Sequence, residues 1–196
     1  MAPRIVAVDT ETTSLNEVWT RKPRWPWEIA LVDRRTRENL WIFVAGLPMT
    51  DADPKSLQIG GYYLRHPEQN DGEIPAGAHL AGPQRAAELV AEFTAGASIV
   101  GANVQFDVST LGAFMYTVGV MPSWNYLPLE VETAAAALLG RLEELKSRGS
   151  YGLGTLARLA GLEVDESRKH TALYDAELAL DLWEWCVAKQ PSLTLA

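Results

Sequence analysis

The stretch that most constrains this chain is Ile5-Val6-Ala7-Val8-Asp9-Thr10-Glu11-Thr12-Thr13-Ser14-Leu15. A short apolar run rich in β-branched residues, ending in acids and small polar residues, predicts a buried strand that surfaces at its C-terminal end. Residues two apart on a strand share a face, so Asp9 and Glu11 present two carboxylates side by side. Like charges at that distance raise each other's pKa unless a cation lies between them. Hard divalent cations such as Mg²⁺ and Mn²⁺ take oxygen ligands of this kind. A solvated strand end or a helix cap would carry the same residues, so the pair alone decides nothing.

The 196 residues suffice for one domain, 1–196, with a substantial core. A hydrophobic content of 47% against 21% charged residues is that of a soluble globular protein rather than a disordered one. No apolar run approaches the length of a membrane span, and the N-terminus enters a strand pattern without signal-peptide architecture, which points to the cytoplasm. The single cysteine, Cys186, falls within a helical pattern and reads as a small core residue. A net charge of −8 argues against broad electrostatic binding of nucleic acid. That objection weakens if several acids are metal ligands, since two divalent ions cancel about four charges.

Past the opening strand, residues 16–27 show no period and interleave Trp19, Trp25 and Trp27 with Arg21, Lys22 and Arg24. Such a segment suits a single-strand contact surface, or tryptophans packed beneath a loop whose charges are solvated. Residues 27–32 and 40–44 predict two strands joined by a polar hairpin, so the first three strands form an antiparallel meander. Residues 45–82, rich in Pro, Gly, Asp and Asn, read as loop with a short helical turn over 54–59, and His66 and His79 as ordinary loop histidines. A helix is expected over 84–94, a buried strand over 97–101 and a helix from 106 to about 118. A strand over 127–131, a helix over 133–145 with a charged end, a short helix over 153–162 and a last helix over 171–189 complete the pattern.

Two acids interrupt this order. Asp107 heads the helical stripe of Leu111, Phe114 and Val118, and Asp175 shares one with Leu178, Ala179, Leu182 and Cys186. A carboxylate on a core-facing stripe is costly unless a cation or a hydrogen-bond donor meets it. An acid in a first turn that complements the helix dipole is the plainer account of Asp107. His170 precedes Asp175 by five positions, about 140° around a continuous helix, so the two share a site only if His170 lies on the loop or in a frayed first turn.

Taken in order, Val8-Asp9-Thr10-Glu11-Thr12-Thr13, then Val100-Gly101-Ala102-Asn103-Val104-Gln105-Phe106-Asp107, then His170-Thr171-Ala172-Leu173-Tyr174-Asp175-Ala176-Glu177 resemble the three motifs of the DEDDh exonucleases. These DnaQ-like enzymes belong to the ribonuclease H-like superfamily, which includes the proofreading subunit of bacterial replicative polymerase. The likeness spans about residues 4–187. It implies an α/β fold with a mixed sheet, three antiparallel strands continued by parallel ones, and helices on both sides.

It also implies two divalent metal ions, Mg or Mn, held by Asp9, Glu11, Asp107 and Asp175, with His170 as general base. The implied reaction is 3′–5′ removal of nucleoside 5′-monophosphates from a nucleic acid with a free 3′ end, DNA favoured over RNA. Thr12 and Leu15 are implied contacts of the terminal nucleotide, Leu15 as an apolar wedge, and Asn103 is the turn residue of the second motif. Ser14 stands where relatives often carry Gly. The alternatives are an RNA-trimming or oligoribonuclease-type exonuclease, and a non-catalytic polymerase-accessory module. The presence of all five acid and histidine positions favours an enzyme. A polymerase is an implied partner, since 196 residues leave no room for a polymerase domain.

Overall fold

The apolar run of the N-terminus becomes β1 (Ile5–Thr12), a central strand of a six-stranded sheet. The computed structural model describes residues 3–16, 18, 23–143 and 152–189. β2 (Pro26–Asp33) and β3 (Asn39–Val44) continue the sheet as an antiparallel meander. Their hairpin is tied by the Asp33 carboxylate, which accepts from the N–H groups of Arg35 and Thr36 and from Arg4 Nε.

After β3 come the short helices α1 (Pro54–Ile59) and α2 (Tyr62–Arg65), then β4 (Ala78–Ala81) and α3 (Pro83–Thr94). The second half holds β5 (Ser98–Gly101), α4 (Val104–Thr117), β6 (Leu129–Glu130), α5 (Val131–Leu138), α6 (Leu153–Leu159) and α7 (Ala172–Lys189). The strand order is β4-β3-β2-β1-β5-β6, with β4, β5 and β6 parallel to their neighbours. This is the expected ribonuclease H-like mixed sheet.

Strand alternation divides the core in two. Val6, Val8, Ile29, Leu31 and Ile42 pack against α3 and α4 through Val90, Leu111 and Phe114. Ile5, Ala7, Ala30, Val32 and Val100 lie under α5, α6 and α7 through Val131, Leu156 and Leu180. Asp9 and Glu11 continue the face of Ile5 and Ala7, so they emerge beneath α7. Cys186 is buried in that same layer.

The site owes its position to a difference in strand pairing. β1 pairs with β2 as far as Thr12, but with β5 only from Ile5 to Ala7. Past Ala7 one edge of β1 is released while its carboxylates follow. β5 leaves at Gly101, where a Cβ would meet the Val8 carbonyl oxygen at 2.9 Å, so a larger residue would push the strands apart. The chain then turns at Asn103, φ +49°, and enters α4, which delivers Asp107 to the same edge.

Several elements differ from expectation. The helix expected over 133–145 is α5, Val131–Leu138: the Glu130 carboxylate caps it by accepting from the N–H groups of Glu132 and Thr133, and Gly140, φ +68°, follows its end. The strand expected over 127–131 shrinks to β6 because Glu130 is committed to that cap. The helical turn over 54–59 is α1 with the same bounds, capped by Asp53, while α2 and β4 arise inside the stretch read as loop.

His66 is not a solvated loop residue. It is fully buried against Trp27, Phe43 and Tyr62, with Nε2 3.2 Å from the Val44 carbonyl oxygen. His79 lies exposed on β4. No described helix is long and apolar enough to cross a membrane.

Candidate active site

Asp9 and Glu11 reach the site from β1, Asp107 from the first turn of α4 and Asp175 from the first turn of α7. His170 stands just before α7, as the spacing to Asp175 requires. Its backbone is left-handed, φ +59°, and its N–H donates to Asp175 Oδ2 at 3.0 Å. That bond turns the chain so that a ring nitrogen of His170, a carboxylate oxygen of Glu11 and one of Asp175 lie within 4.8 Å of one another. Asp107, only 2% exposed, comes in from the opposite layer and accepts from the Thr10 hydroxyl at 2.6 Å. The five residues thus come from three separate stretches of the chain.

Electrostatics show how close the acids are. Asp9 has its pKa pushed well above the usual carboxylate range, first by burial and then by Asp107, Glu11 and Asp175. Burial and the charge of Glu28 push Glu11 up to about 8, against the pull of Arg65. Burial takes Asp107 to about 7 although the Thr10 hydroxyl favours its charged form. Asp175 is also raised by burial, and the His170 N–H opposes the shift. A cluster of carboxylates raised by burial, two of them also by other acids of the cluster, is chemically suited to a divalent cation: oxygen donors, excess negative charge and an adjoining imidazole.

Asp9, His170, Asp175 and Lys169 line an open cleft of about 380 Å³ that α6 borders through Leu153 and Gly154. A Cβ on Gly154 would meet the Lys169 side chain at 3.0 Å, so the glycine lets the lysine lie along the helix start.

The nucleotide-contact candidates are placed less uniformly. Leu15 is 77% exposed just beyond β1, free to meet a ligand. Thr12 is buried and its hydroxyl donates to the Ser14 carbonyl oxygen at 2.8 Å, so it shapes the turn. Asn103 is exposed and its N–H donates to Glu130 Oε1 at 3.2 Å, a turn residue as the motif suggests. Ser14 does not adopt the left-handed conformation that favours glycine, so serine fits there without backbone strain.

In the tryptophan-rich segment the described residues Arg24, Trp25 and Trp27 pack inward. Trp27 is fully buried and Trp25 packs against the core under α4. Arg24, 6% exposed, lies over the Phe106 ring at 3.8 Å and donates to Thr110 Oγ1 and the Phe106 carbonyl oxygen. These groups pack the loop on α4 instead of facing solvent. Trp19, Arg21 and Lys22, and the charged segment from Glu144 to Arg148, lie outside the described residues.

Two residues beside the site were missed. Glu28 is fully buried on β2, directly opposite Glu11 in the β1–β2 ladder, and Arg65 at the end of α2 pairs with it at 2.7 Å. An acid inside the otherwise apolar run from Trp27 to Val32 was the available signal, because it demands a buried cation. Nothing in the sequence around Arg65 identified it as that cation.

No family model matches the chain. Similar solved structures include exonuclease I, described in terms of how processivity is achieved, at 18% identity and a TM-score of 0.69 over 96% of this chain and 42% of that one. An E. coli exonuclease I structure in complex with a 5cy-dT13 oligonucleotide is 18% identical with a TM-score of 0.64, over 97% of this chain and 41% of that one. A 3′-exonuclease that recognises a histone mRNA stem-loop is 13% identical with a TM-score of 0.60, over 99% of this chain and 72% of that one. This chain spans less than half the length of the exonuclease I chains it matches. At such identities the likeness establishes the fold.

Proposed function

We propose that this chain is a divalent-metal-dependent 3′–5′ exonuclease of the DEDDh, DnaQ-like type, releasing nucleoside 5′-monophosphates from single-stranded DNA. The observation that carries the reading is the meeting of Glu11, His170 and Asp175 within 4.8 Å, beside the buried Asp9 and Asp107, whose carboxyls are both raised. That donor set fits two ions of Mg²⁺ or Mn²⁺, with Asp9, Glu11, Asp107 and Asp175 as ligands. Bound there, the ions would supply Lewis-acid activation of a water and charge stabilisation at the leaving 3′ oxygen.

The remaining roles belong to the chain itself. His170 is exposed at the cleft mouth and takes the proton of the attacking water as general base. Asp175 orients it through the His170 N–H. Lys169, in the same cleft, offers positive charge to a phosphate. Leu15 wedges against the terminal base, and the turn built by Thr12 and Ser14 sets its direction.

Single-stranded DNA is favoured by the likeness to exonuclease I, one structure of which holds an oligonucleotide. The test is digestion of DNA and RNA oligonucleotides labelled at the 5′ end, with Mg²⁺, Mn²⁺ or EDTA. The account expects a ladder shortening from the 3′ end with either metal, faster on DNA, and none with EDTA. Metal-independent cleavage, or binding without cleavage, would overturn it.

A further inference from the structure

Arg65 connects three parts of the molecule that flank the acid cluster. Its Nε donates to the Gly60 carbonyl oxygen at 3.0 Å, in the corner between α1 and α2. Its Nη1 donates to Glu28 Oε1 at 2.9 Å, an oxygen that also accepts from Trp41 Nε1 at 2.8 Å. Its Nη2 donates to the His170 carbonyl oxygen at 2.9 Å and lies 2.7 Å from Glu28 Oε2. The guanidinium is further fixed over the Trp27 ring, 5.1 Å from its centroid.

The corner that carries it sits directly on the site. A Cβ at Gly60 would fall 2.6 Å from Glu11 Oε2 and 2.9 Å from Trp27, so glycine lets this corner close over Glu11. Among the described residues, the anion paired with the guanidinium is Glu28, which is fully buried. The fork therefore has a rigid base on β2 and one arm extended to the residue before α7.

His170 needs such a hold. It is exposed, not glycine, and left-handed, a conformation that persists only when neighbours impose it. Its N–H is bound by Asp175 and its carbonyl by Arg65, so both sides of the peptide are fixed while the imidazole stays free. We propose that Arg65, anchored by Glu28, is a positioning residue that holds the backbone of His170 so that its imidazole faces Glu11 and Asp175. The inference rests on the role given to His170 above. A lysine cannot substitute, because a point charge cannot serve Gly60, Glu28 and His170 together.

The experiment compares wild type, R65K, H170A and R65K/H170A on labelled single-stranded DNA with Mn²⁺. R65K lowers kcat about 10–100-fold, with KM for the oligonucleotide and Mn²⁺ affinity within about twofold of wild type. In the H170A background the R65K change has no further effect, since the group it positions is gone. Losses that multiply in the double variant would overturn the proposal, and so would a rise in KM without a fall in kcat.

Amide hydrogen exchange gives a readout apart from activity. The His170 N–H exchanges about tenfold faster in R65K while amides within α7 are unchanged, and equal rates contradict the proposal. If R65K does not fold, E28Q loosens the same anchor and shows the same pattern with a kcat loss of about 3–10-fold. An inactive wild type, or H170A with full activity, refutes instead the reading of His170 on which this rests.

Discussion

Glu28 and Glu11 stand directly opposite one another on β2 and β1, yet the protein treats them differently. Like charges facing across an antiparallel ladder destabilise it unless each finds a partner. Glu28 is closed off by Arg65 and by Trp41 Nε1. Glu11 is left with oxygens directed toward Asp175 and His170, and its pKa is driven up to about 8. One acid is thereby made structural and the other kept available.

Removing one charge from the cluster relieves repulsion. Asp9→Asn and Asp175→Asn are expected to abolish nuclease activity while raising the metal-free melting temperature by about 2–4 °C, roughly 1 kcal/mol. Scanning calorimetry in EDTA beside the digestion assay checks both halves. Full activity in either variant would show that its carboxylate does not hold metal.

The pH dependence of the metal-free protein follows from the sign of the shifts. A carboxyl whose folded pKa is raised stabilises the fold below its unfolded pKa and loses that contribution as pH climbs to the folded value. For Glu11 the window is 4.5 to about 8, and for Asp107 3.8 to about 7. Asp33 and Glu184, held below the usual range by Arg4, Arg34 and backbone N–H groups, contribute their stability already above pH 4.5. His66, buried neutral, works in the opposite direction below its ordinary 6.5. Between pH 6.5 and 8 the acid cluster therefore dominates, and the melting temperature in EDTA falls. Glu132, raised to about 7 by burial, adds to the fall without belonging to the cluster. Added Mn²⁺ should remove all but the Glu132 share, and a slope untouched by Mn²⁺ contradicts the assignment.

His170→Ala should lower kcat by roughly 10²–10⁴-fold, the usual weight of a general base. Titration calorimetry should find Mn²⁺ affinity nearly unchanged, because the carboxylates are the ligands. A collapse of Mn²⁺ affinity in this variant would make His170 a ligand instead.

Leu15→Ala costs little stability, since the side chain is already 77% exposed. The expected change is a several-fold rise in KM for oligonucleotide, about the value of a lost apolar contact at roughly 1 kcal/mol. An unchanged KM would remove Leu15 from the substrate contact.

Arg24→Ala separates packing from substrate binding. With its guanidinium buried on Phe106 and bonded to Thr110, its loss should destabilise the fold by about 2–4 kcal/mol. Urea denaturation measures this. A stable variant with selectively weakened DNA binding would instead restore a substrate role to this loop.

What the sequence made legible was what one chain segment can declare by itself. The β1 acids, the meander and the stripes under Asp107 and Asp175 each follow from local period, and all of them reach the site. β4 was hidden because Ala78–Ala81 has no β-branched residue and pairs in parallel with β3, a contact that no turn announces. α2, four residues long, is too short to show a period. Arg65 and Glu28 are 37 positions apart, and their pairing exists only once α2 folds back over β2. Trp25 and Trp27 stayed ambiguous for a related reason: stacking on a base and stacking in a core call for the same side chain.

The central claim is that Asp9, Glu11, Asp107 and Asp175 hold two metal ions together. Crystals soaked in MnCl₂ with a nucleoside 5′-monophosphate test it most directly through anomalous difference maps at the manganese edge. The account predicts two peaks roughly 3.5–4 Å apart among those four carboxylates, with His170 facing the nearer one. Peaks elsewhere, or an empty cluster with its acids protonated, would contradict it.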